Sequence, residues 1–119
     1  MASEYLITQI DKATVIEFRI PSLMDPVQLE MIQAQLFVLV DEQDKRLIIL
    51  DFSRVEFISS QAIGIVIGLN RRLAKLPHSK LLLCGVSGKL IELLRITRLD
   101  KVLTLKPTQK EAIASLAML

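Results

Sequence analysis

Apolar residues in this chain alternate between short continuous runs and helical repeats. Residues 47–50 form an uninterrupted apolar run that ends at Asp51, which is typical of a strand buried on both faces. After a short connection, Ser59 and Ser60 precede apolar residues spaced three and four apart, which predicts a helix from Ser60 to Leu76 with one face turned inward. The hydroxyl groups of Ser59 and Ser60 therefore lie between a buried strand and the start of a helix. Free backbone N–H groups and the positive end of the helix dipole meet there, so this junction is the best candidate for a functional surface.

The rest of the chain divides in the same way. Alternating β-branched residues between Tyr5 and Ile20 predict an opening β-hairpin, and Asp25 before Pro26 predicts the cap of a first helix that ends at the polar segment 41–45. Further strands are predicted over 46–52, 80–86 and 102–105, with a third helix after Ser87 and a closing helix after Thr108. We therefore expect the α/β class: one domain over 1–119, a mixed sheet of about five strands and about four helices, in the order β-β-α-β-α-β-α-β-α.

Two glycines interrupt the second predicted helix. Gly64 and Gly68 lie one turn apart, and each costs about 1 kcal/mol of helix stability relative to alanine. We interpret them as positions where the helix backbone approaches the sheet closely.

Composition narrows the class of protein. The chain has 119 residues and is 51% hydrophobic, which suffices for a core without disulfides, and its single cysteine cannot form an internal one. Only 4% of residues are aromatic, so recognition by stacking on exposed rings is disfavoured. No secretion signal and no long apolar segment is apparent, which predicts a cytoplasmic protein without membrane insertion.

The charge is small but uneven. A net charge of +2 does not indicate direct nucleic-acid binding. Residues 1–45 carry −5, however, and residues 46–119 carry +7. Folding either interleaves these charges or leaves a basic face for an acidic partner, formed by Arg71, Arg72, Lys75, Lys89, Arg95 and Arg98.

Catalytic groups are scarce. His78, the only histidine, lies in a predicted turn, and Cys84 lies among leucines in a predicted strand, where a buried inert thiol is expected. The segment Gly85–Lys89 lacks the first glycine and the final Ser or Thr of a phosphate-binding loop. We therefore predict a binding protein rather than an enzyme, with no cofactor and no metal site.

The hydroxyls of Ser59 and Ser60 allow two interpretations. Either oxygen can accept a hydrogen bond from the first turn of the helix and stabilise it by about 1 kcal/mol. Alternatively, one hydroxyl is a regulatory phosphorylation site. The helix dipole tolerates a phosphoryl group at that end, whereas its added charge would disrupt a docking surface.

The chain resembles the STAS domain family of bacterial anti-sigma factor antagonists. The resemblance rests on Leu50-Asp51-Phe52-Ser53-x-Val55-x-Phe57-Ile58 followed by Ser59-Ser60, on Gly64 and Gly68, and on the later run from Leu90 to Val102 with Leu99-Asp100. It implies a partner switch: the unphosphorylated form binds an anti-sigma factor that is a serine kinase of the histidine-kinase-like ATPase type, phosphorylation breaks the complex, and a phosphatase restores it. Scaffolds of stress-sensing assemblies, called stressosomes, carry the same domain, so the resemblance leaves both a monomer and a homo-oligomer open.

One motif departs from the family pattern. Where the family usually has Asp-Ser-Ser-Gly-Leu-Gly, this chain has Ser59-Ser60-Gln61-Ala62-Ile63-Gly64. A glutamine therefore occupies the position of the serine that usually accepts the phosphate. In scaffold-type relatives the acceptor is the serine after the aspartate, which corresponds to Ser60. The resemblance therefore implies phosphorylation at Ser60 first and Ser59 second, or else constitutive binding without phosphate. The implied partner-binding residues are Asp25, Ser59, Ser60, Gln61, Ala62 and Arg71.

Two other functions stay open at this point. Similar single-domain proteins are cytoplasmic accessory subunits of lipid-transport ATPases, a function that needs no phosphorylation site. A small-molecule sensor is the third alternative, for which the sequence shows no pocket signature.

Overall fold

The computed structural model describes residues 4–118. The strands are β1 (Tyr5–Ile10), β2 (Ala13–Phe18), β3 (Ser22–Leu23), β4 (Leu47–Asp51), β5 (Phe57–Ile58), β6 (Lys80–Cys84) and β7 (Thr104–Lys106). The helices are α1 (Pro26–Asp41), α2 (Ser60–Ala74), α3 (Gly88–Ile96) and α4 (Gln109–Leu116), with a 3-10 turn over Leu99–Lys101. The predicted succession of elements is confirmed, and the short strands β3 and β5 are additions that the sequence pattern did not reveal.

Five strands form one mixed sheet in the order β1-β2-β4-β6-β7. The hairpin pair β1–β2 is antiparallel, and every other pair in this sheet is parallel. The apolar run of β4 lies in the centre, where Ile48, Ile49 and Leu50 are all fully buried. The α/β class with a five-stranded mixed sheet is therefore confirmed.

The sheet separates two hydrophobic clusters. Ile48 and Leu50 of β4 contribute to the larger cluster, which α1, α2 and α3 cover, whereas Ile49 points to the other face. Leu82 and Cys84 of β6 join Ile49 there, under Ala112 and Leu116 of α4. Successive strand residues face opposite sides, so strands that are apolar throughout supply both clusters.

A side-chain oxygen caps the start of every α-helix in the described residues. Asp25 accepts from the Val27 N–H, Ser59 from Ala62, Ser87 from Leu90 and Thr108 from Glu111. These bonds satisfy N–H groups that have no partner within the helix. The predicted caps at Asp25, Ser87 and Thr108 are thus confirmed, and Ser59 rather than Ser60 caps α2.

The interpretation of the two glycines in α2 was wrong. A Cβ at position 68 would lie 3.2 Å from Cζ of Phe37, a residue of α1, so Gly68 accommodates the neighbouring helix and not the sheet. A Cβ at position 64 would meet nothing within 4 Å, and Gly64 is exposed. Gly64 therefore has no packing partner among residues 4–118.

Candidate functional site

A small parallel ladder sets the geometry of the candidate site. Leu23 of β3 pairs with Ile58 of β5, and the Ser59 N–H extends the ladder by donating to the Leu23 carbonyl at 3.1 Å. Each strand then leads directly into a helix. Asp25 and Ser60 both lie two residues beyond a paired position, so the starts of α1 and α2 lie side by side.

The two adjacent serines have different surroundings. Ser59 is half-buried, has an extended backbone with φ −90° and ψ 166°, and accepts from the Ala62 N–H at 3.2 Å. Ser60 is the first residue of α2 and is exposed. The hydroxyl of Ser60 is therefore open to solvent, while that of Ser59 stabilises the helix.

Gln61 and Ala62 follow Ser60 in the first turn of α2. The Gln61 side-chain amide donates to the Pro26 carbonyl at 3.4 Å, which joins the first turns of α1 and α2. Ala62, which the resemblance places among the partner-binding residues, is only 4% exposed and belongs to the main hydrophobic cluster. Two helical positions beyond Ser60 correspond to a rotation of about 200°, which turns this side chain toward the core.

Arg71 lies at the other end of α2. It follows Ser60 by eleven residues, so it is about 16 Å away along the helix axis but on the same side, because eleven residues make about three turns. Arg71 and Gly64 are exposed and Ile67 is half-buried. Ser60, Gly64, Ile67 and Arg71 thus form one stripe along the outer face of α2, which we call the α2 stripe.

An apolar groove lies next to the segment Ser59–Ser60, which we call the serine junction. Its volume is about 470 Å³, and Met24, Phe57, Ile58, Leu90, Leu93 and Ile96 provide its apolar lining. Met24, Phe57 and Ile96 are 52%, 46% and 72% exposed, which is unusual for large apolar side chains at neighbouring positions. Two of its lining residues, Met24 and Ile58, directly precede Asp25 and Ser59 in the chain. The sequence pattern did not reveal this groove, because it forms between α3 and the segments of the short strands β3 and β5.

Three of the six basic residues lie against other side chains. The Arg72 Nε lies 3.4 Å from a carboxylate oxygen of Asp41, at an angle that does not make a hydrogen bond, and its guanidinium stacks on Phe37 at 3.9 Å. Arg95 pairs with Glu92, and the Lys89 ammonium lies over Phe57 at 4.3 Å. Charges from the two halves of the chain are therefore interleaved at Arg72, whereas Arg71 and Lys75 are exposed.

Cys84 and Asp51 lie together on the face of the sheet that α4 covers. Asp51 is 5% exposed and accepts hydrogen bonds from the Ser53 N–H at 2.9 Å and from the Gln109 side chain at 2.8 Å. Burial, together with the negative charge of Asp51, raises the pKa of the Cys84 thiol from 9.0 to about 12. The predicted burial of Cys84 is confirmed, and the raised pKa supports the prediction that the thiol is inert.

Other chemistry is sparse in residues 4–118. They contain no group of three or more His, Cys, Asp or Glu side chains placed to hold a metal ion. His78 is exposed in a turn, with a left-handed backbone at φ 57°. No helix in this part of the chain is both long enough and apolar enough to span a membrane.

Comparisons with known proteins agree on the type of domain. A family model described as the STAS domain matches residues 5–112. A STAS domain anti-sigma factor antagonist from Planctomyces limnophilus has a similar structure, with a TM-score of 0.85 and 24% identity, over 98% of this chain and 99% of that one.

Two further solved structures are similar in fold. The phosphorylated form of SpoIIAA, a Bacillus cell fate determinant, has a TM-score of 0.75 at 22% identity, covering 94% of this chain and 98% of that chain. A serine-to-glutamate variant of RsbS from Moorella thermoacetica has a TM-score of 0.75 at 16% identity, covering 97% and 96%. At these identities the likeness concerns the fold.

Proposed function

Because the chain belongs to the STAS domain family, we propose that it is an anti-sigma factor antagonist or a stressosome-like scaffold, a binding protein controlled by phosphorylation of Ser60. The observation that carries this proposal is the exposed Ser60 at the first position of α2, beside the start of α1 and the apolar groove. Structural relatives described as anti-sigma factor antagonists support the general function.

Ser60 is a better phosphate acceptor than its neighbours. A kinase must bring a phosphoryl group to the hydroxyl oxygen, which requires exposure, and Ser60 is exposed while Ser59 is half-buried. The Ser59 oxygen also caps α2, so modification there would compete with the bond from the Ala62 N–H. Gln61 has no hydroxyl and instead joins the two helix starts. These differences support the order Ser60 first and Ser59 second.

Phosphorylation of Ser60 would change docking more than folding. The group adds a charge of about −1.5 to −2 at neutral pH, and the N-terminal end of α2 favours negative charge there. The same charge would stand on the α2 stripe, near the exposed carboxylate of Asp25. A partner that places apolar or acidic groups on this surface would lose affinity, because it would have to desolvate two negative groups.

The proposed partner is an anti-sigma factor or serine kinase with a histidine-kinase-like ATPase domain, and a phosphatase would reverse the modification. On this chain, the surface that contacts the partner comprises the α2 stripe, the serine junction with Asp25, and the apolar groove. The groove supplies exposed apolar area that a protein partner can bury, while Arg71 supplies a charge at the far end of the stripe. Ala62 supports this surface from beneath.

The proposal is tested with the purified protein as bait in a lysate of its source organism, followed by mass spectrometry of the retained proteins and of the bait. We expect a histidine-kinase-like ATPase among the retained proteins and, after incubation with it and ATP, phosphate on Ser60. Ser60→Asp should bind this kinase about tenfold more weakly or worse, by the desolvation cost argued above. Ser60→Ala should bind it but accept no phosphate there.

A matched control carries the same charge on the other side of the sheet. Ala114 is exposed on α4, so Ala114→Asp should leave binding unchanged. Wild-type affinity in Ser60→Asp would overturn the switch, and phosphate on other residues alone would overturn the assignment to Ser60. Retention of a lipid-transport ATPase in place of the kinase would identify the protein as a transporter accessory subunit.

A further inference from the structure

The two edges of the five-stranded sheet differ in their protection. Strand β7, at one edge, has only three residues, includes Lys106 and is followed by Pro107. Strand β1, at the other edge, has six residues with the sequence YLITQI, which contains no charge, no proline and no glycine. Edge strands usually carry such features because their free backbone groups recruit other strands. The β1 edge lacks them.

The hairpin register shows which backbone groups of β1 are free. The Arg19 N–H donates to the Glu4 carbonyl at 2.8 Å, and residues bonded to the neighbouring strand alternate along an antiparallel pair. The backbone groups of the even-numbered residues from Glu4 to Ile10 therefore point to β2. Those of Tyr5, Ile7 and Gln9 point away from the sheet, where β1 has no neighbouring strand among the described residues.

We infer that β1 pairs with β1 of a second copy of this chain, antiparallel and centred on Ile7, so that two five-stranded sheets become one. This register makes every outward N–H and C=O of Tyr5, Ile7 and Gln9 bond to the second copy, with Tyr5 opposite Gln9. A two-fold axis through Ile7 closes the assembly at two copies, because each copy presents the same strand to the other.

The side chains of β1 favour a second copy as the occupant. In this register Ile7 lies opposite Ile7 and Leu6 lies opposite Thr8, so no like charges face each other across the pair. Leu6, which is 42% exposed, would be covered by the opposing strand. β-Branched and aromatic residues across from one another are the pairs that stabilise neighbouring strands. The serine junction is built from other elements, so this inference does not depend on the function proposed for Ser60.

A proline at position 9 tests the pairing of the backbones. Gln9→Pro removes an N–H that points away from β2, which costs the dimer two hydrogen bonds but leaves the β1–β2 ladder intact. The Gln9 side chain also bonds to Thr14 and to the Asp11 carbonyl, so Gln9→Ala is the matched control that loses only these contacts. By sedimentation across a concentration series, wild type and Gln9→Ala should dimerise, and Gln9→Pro should dimerise roughly tenfold more weakly or worse.

Cysteine cross-linking tests the register without a proline. Leu6→Cys and Thr8→Cys should each form little disulfide-linked dimer alone, because like positions are displaced along the strand beyond disulfide reach. An equal mixture should cross-link efficiently, since position 6 faces position 8. Cys84 does not interfere, as it is buried. A wild-type protein that stays monomeric into the high micromolar range, equal dimerisation of Gln9→Pro and Gln9→Ala, or no preference for the mixture would each overturn the inference.

Discussion

Replacing Gly64 by alanine should stabilise this protein. Gly64 lies in the interior of α2 and is exposed, and a Cβ there would meet nothing within 4 Å, so the substitution has no steric cost. The helix then gains the full difference in propensity, about 1 kcal/mol in the free energy of unfolding. For a domain of this size, that gain corresponds to a rise of about 3–6 °C in the melting temperature.

Gly68 provides the internal control, because it lies one turn further along the same helix. A Cβ at this position would lie 3.2 Å from Cζ of Phe37, whose ring is fixed in turn by the Arg72 guanidinium at 3.9 Å. The ring would have to move by a few tenths of an ångström, so Gly68→Ala should gain less than half as much as Gly64→Ala or should destabilise the fold. Urea unfolding of both variants measures the difference.

Gly64→Ala should also affect partner binding, because Gly64 lies in the middle of the α2 stripe. A methyl group there would keep a docking partner from approaching the helix backbone, so Gly64→Ala should bind the proposed kinase more weakly while being more stable. An unfolding free energy no higher than wild type in Gly64→Ala, or an equal gain in Gly68→Ala, would refute the packing argument. Unchanged kinase binding would remove the middle of the stripe from the interface.

The remaining predictions concern the caps and the cysteine. Ser59→Ala should lower the free energy of unfolding by about 1 kcal/mol through loss of the α2 cap, while Ser60→Ala should change it little; urea titration separates them. Because the pKa of Cys84 is about 12 in the fold but near 9.0 when unfolded, the unfolded state loses this proton first. Stability should therefore fall between about pH 9 and pH 12, more steeply in wild type than in Cys84→Ala, as followed by urea unfolding.

The sequence predicted the fold well wherever a buried element has a strong period. The run from Leu47 to Leu50 is apolar because both faces of the central strand are covered, and a strand with one face in water would alternate with polar residues instead. Caps at Asp25, Ser87 and Thr108 were predictable because capping is local chemistry over three or four residues. The position of the last strand was less predictable, because this strand has little apolar periodicity. It spans Thr104–Lys106 and follows a 3-10 turn.

The candidate site was only partly predictable because it depends on contacts between distant segments. Strands β3 and β5 have two residues each, too short for a period, yet their pairing places Asp25 beside Ser60 and holds Phe57 at the groove. The position of Ala62 shows a related limit. The motif places it two residues after Ser60 along the chain, but the helix turns it inward, where it is 4% exposed.

In the proposed switch, the two interpretations of the serine pair, helix capping and regulation, apply to different residues. A helix start needs one acceptor for its first free N–H groups, and Ser59 fills that requirement from a half-buried position. Ser60 follows it on the outer face and is not needed for the cap. A hydroxyl that the fold does not require can change its charge at little cost in stability, whereas the same change at Ser59 would weaken α2. The proposed switch therefore needs two positions at this junction, an acceptor side chain that caps the helix and an exposed hydroxyl that is modified.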